Sequence, residues 1–376
     1  MKNAIRLSVG LLLSLTTCDG SAKPTPTPCS ATANCLSGPI GQRGGQIADA
    51  DGSATLSLPA GAVSVTTDIE VGSESLPPDF VLPQGAIPVG ALVYAAGAAS
   101  LAQPATLVLS FDPASLVGLC TTHATLATAA DVTVLTSPSG AAGSWTLVNA
   151  LAVNATEVSI QTTALQYFVP VVVIYDTLDP SQMGFALQQI LPDLTLSGSA
   201  VLNTAVPAVG DPTDAGTWQA NLSFEWLHNQ SCNGFRYAYL DVSAVWCPHD
   251  QVEAEQLVGS YVKDWVSKGG LVVSVLEQGE TGGSAASEQD LATWIKEYQV
   301  DYTMALDEGQ ELLTAAGINA WPADFIIRLA DMRVMLGVFG AGDAFYAQFD
   351  SELTSCDPTV GTGCPAGQSC SDGSCQ

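Results

Sequence analysis

The sequence predicts a multidomain chain: an all-β sandwich over residues 41–174, then an α/β domain over residues 222–352. Three observations carry this reading. Up to Val173, short β-prone runs alternate with Gly- and Pro-containing turns, the spacing of a sandwich. From Leu222 onward, apolar strand-like runs alternate with helical patterns, the mark of a sheet flanked by helices. The flanking segments have another composition: Pro and Thr over 19–40, Pro and Gly over 175–221, Gly and Cys over 353–376. A length of 376 residues suits two or three domains at about 100–200 residues each. Apolar residues make up 47% of the chain, enough for separate cores.

At the N-terminus, Lys2 and Arg6 precede an apolar run, Leu7 to Leu15. The run is too short for a permanent membrane span and reads as a signal segment, 1–18. Its ending, Leu15-Thr16-Thr17-Cys18, resembles a bacterial lipobox, although Thr17 stands where Gly, Ala or Ser is usual. The resemblance implies lipidation of Cys18 and a lipid-anchored, exported protein of the cell envelope, periplasmic or surface-exposed. An ordinary secretory signal cut nearby is the alternative. The stretch D-G-S-A-K-P-T-P-T-P after Cys18 is an extended tether.

The charge is lopsided, with 37 acidic against 10 basic residues and a net charge of −27. Nucleic acid and anionic lipid both demand basic patches. Neither is expected as a partner, so membrane contact is expected through a lipid anchor only. Ten cysteines in an exported chain imply disulfides. Cys29 and Cys35 are close enough for a local loop. Cys356, Cys364, Cys370 and Cys375 form a tail of their own. That tail has almost no apolar core, so only crosslinks can order it. Its C-P-A-G-Q-S-C-S-D-G-S-C run resembles the small Cys-rich tails of bacterial surface proteins, and its three possible pairings stay open.

In the first region the strands expected are Thr67–Val71, Ala91–Tyr94, Thr106–Phe111, Val132–Leu135, Trp145–Val148, Glu157–Thr162 and Tyr167–Val173, with A-T-L-S-L-P before them. The order Gly44-Gly45-Gln46-Ile47, Asp51-Gly52, Leu58-Pro59-Ala60-Gly61-Ala62 and Thr67-Asp68-Ile69-Glu70-Val71 resembles the opening of a ZU5-like domain. Gln103-Pro104-Ala105-Thr106-Leu107 before Phe111-Asp112, and Trp145, fit the same pattern. The resemblance implies a structural or interaction module. His123 is read as a loop residue.

The second region is preceded by a lead-in over 175–221, with a short helix expected at Phe185–Leu191. Its elements are then a strand Arg236–Val245, a helix from about Asp250 to Ser267, and a strand Leu271–Leu276. A helix Glu288–Tyr298 capped by Ser287 comes next. Tyr302–Leu306, a helical turn Glu311–Ala316 closed by Gly317, strands Asp324–Leu329 and Arg333–Phe339, and a helix near Asp343–Glu352 complete it. This order resembles the thioredoxin fold in its extracytoplasmic redoxin branch. The residues that carry the resemblance are Ser243-Ala244-Val245-Trp246-Cys247-Pro248, Leu271-Val272-Val273-Ser274-Val275, Asp307-Glu308-Gly309, and Gly317-Ile318-Asn319-Ala320-Trp321-Pro322 before Phe325-Ile326-Ile327.

The resemblance implies a reactive Cys247 at a helix N-terminus, flanked by Trp246. It implies a cis Pro322 beside that thiol, and a thiol tuned by His249. Free N–H groups at a helix start favour a thiolate. Dithiol members carry a second cysteine where Asp250 stands here. Asp250 cannot form a disulfide, and its charge opposes thiolate formation. The implied activity is therefore monothiol exchange with a thiol- or disulfide-bearing protein and an external resolving thiol. Two alternatives remain: a degenerate domain that binds without catalysis, and a structural cysteine paired elsewhere. Ala244 occupies the position where a peroxidase has Thr or Ser, which counts against peroxide chemistry.

Cys232 and Cys247 flank a strand of roughly 33 Å at ~3.3 Å per residue, beyond disulfide reach unless residues 226–235 fold back over the sheet. A Cys120–Cys232 staple between the domains is one reading of the remaining cysteines. His228, Cys232, Cys247 and His249 match no zinc signature, and no metal or cofactor is expected. Glu253 and Glu255, two apart on a helix, are read as solvated surface.

Overall fold

The computed structural model describes residues 34–77, 80–97, 100–122, 124–175, 181, 183–202, 217–219, 221–340, 343–355, 370–371 and 374–375. Cys18, Cys29, His123, Cys356 and Cys364 lie outside them, as do the signal segment and most of the linker.

The first region is two antiparallel sheets. One runs in the order Cys35–Ile40, Thr67–Glu74, Leu92–Gly97, Tyr167–Val173, Val132–Ser137, Thr146–Val148, with Ala86–Pro88 also pairing with Tyr167–Val173. The other runs Ala152–Val153, Glu157–Thr162, Ala105–Ser110, Ala54–Leu58, Gly45–Ala48. Period-two alternation builds the core between them. Ala54, Leu56 and Leu58 face inward while Thr55 and Ser57 are half-buried. Ala105, Leu107 and Leu109 do the same on the neighbouring strand.

The second region is a seven-stranded sheet. Its order is Thr217–Gln219, Ala200–Leu202, Thr303–Leu306, Gly270–Gln278, Tyr237–Ala244, Ala323–Arg328, Arg333–Phe339. Gly270–Gln278 runs parallel to both of its neighbours, and the other pairs are antiparallel. Every residue of Gly270–Gln278 is buried, as a central strand covered on both faces requires. A layer on one face packs Tyr239, Trp265, Tyr346 and Phe349. The other face carries Leu240, Phe325 and Phe224 into a core continuous with the sandwich.

The lead-in departs from expectation. Phe185–Leu191 is not a helix. Gly184 and Gln188 have φ of 147° and 67°, which helical backbone cannot hold. Its N–H groups turn instead to the strand Arg333–Phe339 and the residue before it: Gln188 donates to the Val334 carbonyl at 2.7 Å, and Leu191 donates to the Met332 carbonyl at 2.8 Å. Further on, Ala200–Leu202 adds to the sheet edge beside Thr303–Leu306. The long helix expected to end at Ser267 is divided into Pro248–Gln256, a π turn Leu257–Tyr261, and Val262–Ser267.

Cys120 and Cys232 form a disulfide across 112 residues of sequence. Beside it, the Cys120 N–H donates to Asn229 Oδ1 at 2.9 Å. Replacing both cysteines by Ala is expected to lower stability by about 2–5 kcal/mol. Urea unfolding followed by tryptophan fluorescence reads this, and an unchanged midpoint contradicts it.

Candidate functional site

The strand Tyr237–Ala244 ends in a tight turn at Val245 and Trp246. The turn closes when the Cys247 N–H donates to the Ala244 carbonyl at 3.0 Å. Cys247 is then the N-cap of the helix Pro248–Gln256, with Pro248 in its first turn. Proline suits that position because its missing N–H would have had no helical partner. Cys247 is the free cysteine among the described residues and is only 4% exposed. Its Sγ lies 3.9 Å from the Trp321 carbonyl, and the Trp321–Pro322 peptide is cis. Thus Cys247 and Pro322, 75 positions apart in the numbering, share one site. Trp246 is exposed and packs edge-on against Trp321 at 5.9 Å. Its Nε1–H donates to Gln278 Oε1 at 2.9 Å.

Two opposing effects act on the thiol. The backbone N–H groups of His249 and Asp250 favour the thiolate, as a helix start should. Burial and the neighbouring Asp250 charge oppose it, and burial is the largest influence. The balance pushes the Cys247 thiol up from its ordinary value. Asp250 itself is 1% exposed and accepts the Ala244 N–H at 2.5 Å through Oδ2. Its other oxygen has no hydrogen-bond partner. Burial, reinforced by Asp241, pushes this carboxyl up to about 8. His249 is exposed; what it brings to the thiol here is its backbone N–H.

Glu253 overturns its expected placement. It is 3% exposed, whereas Glu255 is exposed. The Tyr239 hydroxyl donates to Glu253 and lies 3.0 Å from Asp324 Oδ1. Asp241 accepts from Ser243 at 2.7 and 2.8 Å and from Ser274 at 2.5 Å. Burial raises all three acids: Asp241 to about 6, Glu253 to about 8, and Asp324 well above the usual range. A second buried acidic pair, Glu277 and Asp307, is raised to about 9 and about 6, again by burial first.

The zinc-like residue set is not assembled. Cys232 is held by Cys120, and His228 Nδ1 is paired with the Leu329 carbonyl at 2.7 Å. Cys35 is also disulfide-bonded. In the tail, Cys370–Ser371 pairs with Ser374–Cys375 as a short antiparallel ladder.

No family model matches the chain. No curated protein matches it either. Solved structures that resemble it include thiol-disulfide oxidoreductases and a peroxiredoxin. One is the thioredoxin domain of a thiol-disulfide oxidoreductase from Bacteroides vulgatus, 15% identical, covering 44% of this chain and 96% of that one at a TM-score of 0.31. Another is a secreted Mycobacterium tuberculosis disulfide oxidoreductase, 13% identical, covering 40% and 94% at a TM-score of 0.28. A third is Mycobacterium tuberculosis AhpC, 13% identical, covering 45% and 93% at a TM-score of 0.30. At these identities and TM-scores the likeness says nothing of what Cys247 does.

Proposed function

We propose that this is a monothiol exchange protein of the cell envelope, acting through Cys247 on a thiol- or disulfide-bearing protein partner. The observation that carries the reading is the free Cys247 sulfur at a helix N-cap, against the Trp321-Pro322 loop, with a carboxyl where a second thiol would close a disulfide. In the reaction, the Cys247 thiolate attacks one sulfur of the partner's disulfide. A Cys247–partner disulfide forms, and the partner's other sulfur leaves as a thiolate that takes the proton lost by Cys247. An external thiol then attacks the partner's sulfur in the mixed disulfide; a disulfide between that thiol and the partner forms, and Cys247 leaves as a thiolate that takes the proton lost by the attacking thiol. Burial first, and the Asp250 charge where that carboxyl ionises, keep the resting thiol protonated, so the chain holds its sulfur in reserve at neutral pH. The ZU5-like reading of the sandwich and lipidation at Cys18 would present the site at the end of a tether.

A second reading is a binding protein whose thiol is inert. The 4% exposure of Cys247 and its raised pKa favour it. The two separate on incubation with glutathione disulfide, followed by intact mass and peptide mapping. Exchange predicts one adduct, at Cys247, removed by dithiothreitol and absent in Cys247→Ser. A folded chain that stays unmodified after the same chain in urea has reacted would overturn the exchange reading and leave the thiol inert.

A further inference from the structure

Behind the thiol, oxygens of Asp241, Glu253 and Asp324 lie within 4.8 Å of one another. They come from three elements: the strand Tyr237–Ala244, the helix Pro248–Gln256 and the strand Ala323–Arg328. Their residues are 2%, 3% and 0% exposed. No ion pair among the described residues involves them. Burying several carboxyls together without a cation is costly, and either protons or a metal must offset their charge.

A separate observation bears on the same place. Asp324 is 0% exposed, and its Oδ2 has no hydrogen-bond partner although no water can reach it. The cage is braced in advance. Ser243 and Ser274 fix Asp241, and the Tyr239 hydroxyl spans Glu253 and Asp324.

We propose that Asp241, Glu253 and Asp324 bind one hard divalent cation, of the Ca²⁺ or Mn²⁺ kind. All the donors are oxygens, which select hard cations over zinc or copper. Oxygens on one ion at about 2.3–2.6 Å stand no more than about 5 Å apart, and this spacing meets that limit. The unpartnered Oδ2 of Asp324 is a lone pair that the ion would satisfy. Without the ion, protons hold the cluster together. The site does not depend on whether Cys247 exchanges disulfides.

The test uses the full chain, freed of metal by chelator and kept in about 0.15 M KCl, where weak surface binding is screened. Screening is needed because the net charge of −27 attracts cations everywhere. Mn²⁺ is titrated by loss of its free electron-spin resonance signal. Tb³⁺, which substitutes for Ca²⁺, is read by luminescence excited through Tyr239 and Trp265, whose rings are 5.3 Å apart. The expected result is one equivalent bound, with sensitised Tb³⁺ emission that Ca²⁺ displaces. Glu253→Gln and Asp324→Asn should each weaken binding at least tenfold, and Glu255→Gln should leave it unchanged. If either variant fails to fold, sensitised emission from the wild-type chain decides. A folded wild-type chain that binds no equivalent overturns the proposal, as does binding that survives Asp324→Asn.

Discussion

Replacing Asp250 by Cys is expected to turn a chain that cannot reduce insulin on its own into one that does so catalytically with dithiothreitol. The substitution supplies a second thiol just beyond Cys247, Pro248 and His249, with both sulfurs at the start of one helix. Asp250 sits buried within the first turn of that helix, and a thiol there removes the carboxyl whose charge adds to burial in holding Cys247 protonated. The Ala244 N–H loses a 2.5 Å acceptor, at a cost of about 1–3 kcal/mol, so the gain in activity should come with reduced stability. Insulin turbidity measures the first and thermal unfolding the second. A folded Asp250→Cys chain that forms no internal disulfide would mean that the site cannot bring two sulfurs together.

The second large effect is on stability against pH. Asp241 titrates at about 6, Asp250 and Glu253 at about 8, and Glu277 at about 9. Unfolded carboxyls titrate near ~4. Folded values lie above unfolded ones, so between these limits the folded chain binds more protons than the unfolded chain. The stability these groups contribute is complete below pH ~4 and is lost as pH rises through 6, 8 and 9. Each differing proton tilts stability by about 1.4 kcal/mol per pH unit. His228 acts in the opposite sense. Burial lowers it from 6.5, so its contribution is present at high pH and lost in acid. His228 offsets at most one of these protons, so together the groups make stability fall as pH rises above ~4. Urea midpoints in chelator between pH 4 and 9 should fall steadily on the alkaline side. A rise from pH 5 to 9 contradicts the buried, protonated acids.

Much of the architecture could be read from residues. Ser287 and Asp290 make the capping box of Glu288–Tyr298, and that pair marks a helix start on its own. Arg333–Phe339 and Glu157–Thr162 are strands over the ranges their composition suggested. Cys247 and Pro322 could be linked only through a family resemblance, since nothing local joins positions so far apart. The acidic cluster was hidden for a different reason. Asp241 and Asp324 lie on strands buried on both faces, where alternation no longer distinguishes inside from outside. Glu253 and Glu255 were separable by helical geometry, but their spacing does not say which of them faces the sheet. A charged residue inside an otherwise apolar strand, as in Leu240-Asp241-Val242, was the available signal. Two-residue strands such as Thr195–Leu196 carry no period to detect.

The thiol itself is tested most directly by the pH dependence of iodoacetamide alkylation at Cys247, in the wild-type chain and in Asp250→Asn. The wild-type reaction should reach its midpoint above the ordinary thiol value of 9.0. In Asp250→Asn the midpoint should move down, because a neutral amide no longer repels the thiolate. A wild-type midpoint below 9.0, or a folded chain that is never alkylated at any pH, would contradict a reserved but reactive thiol governed by Asp250.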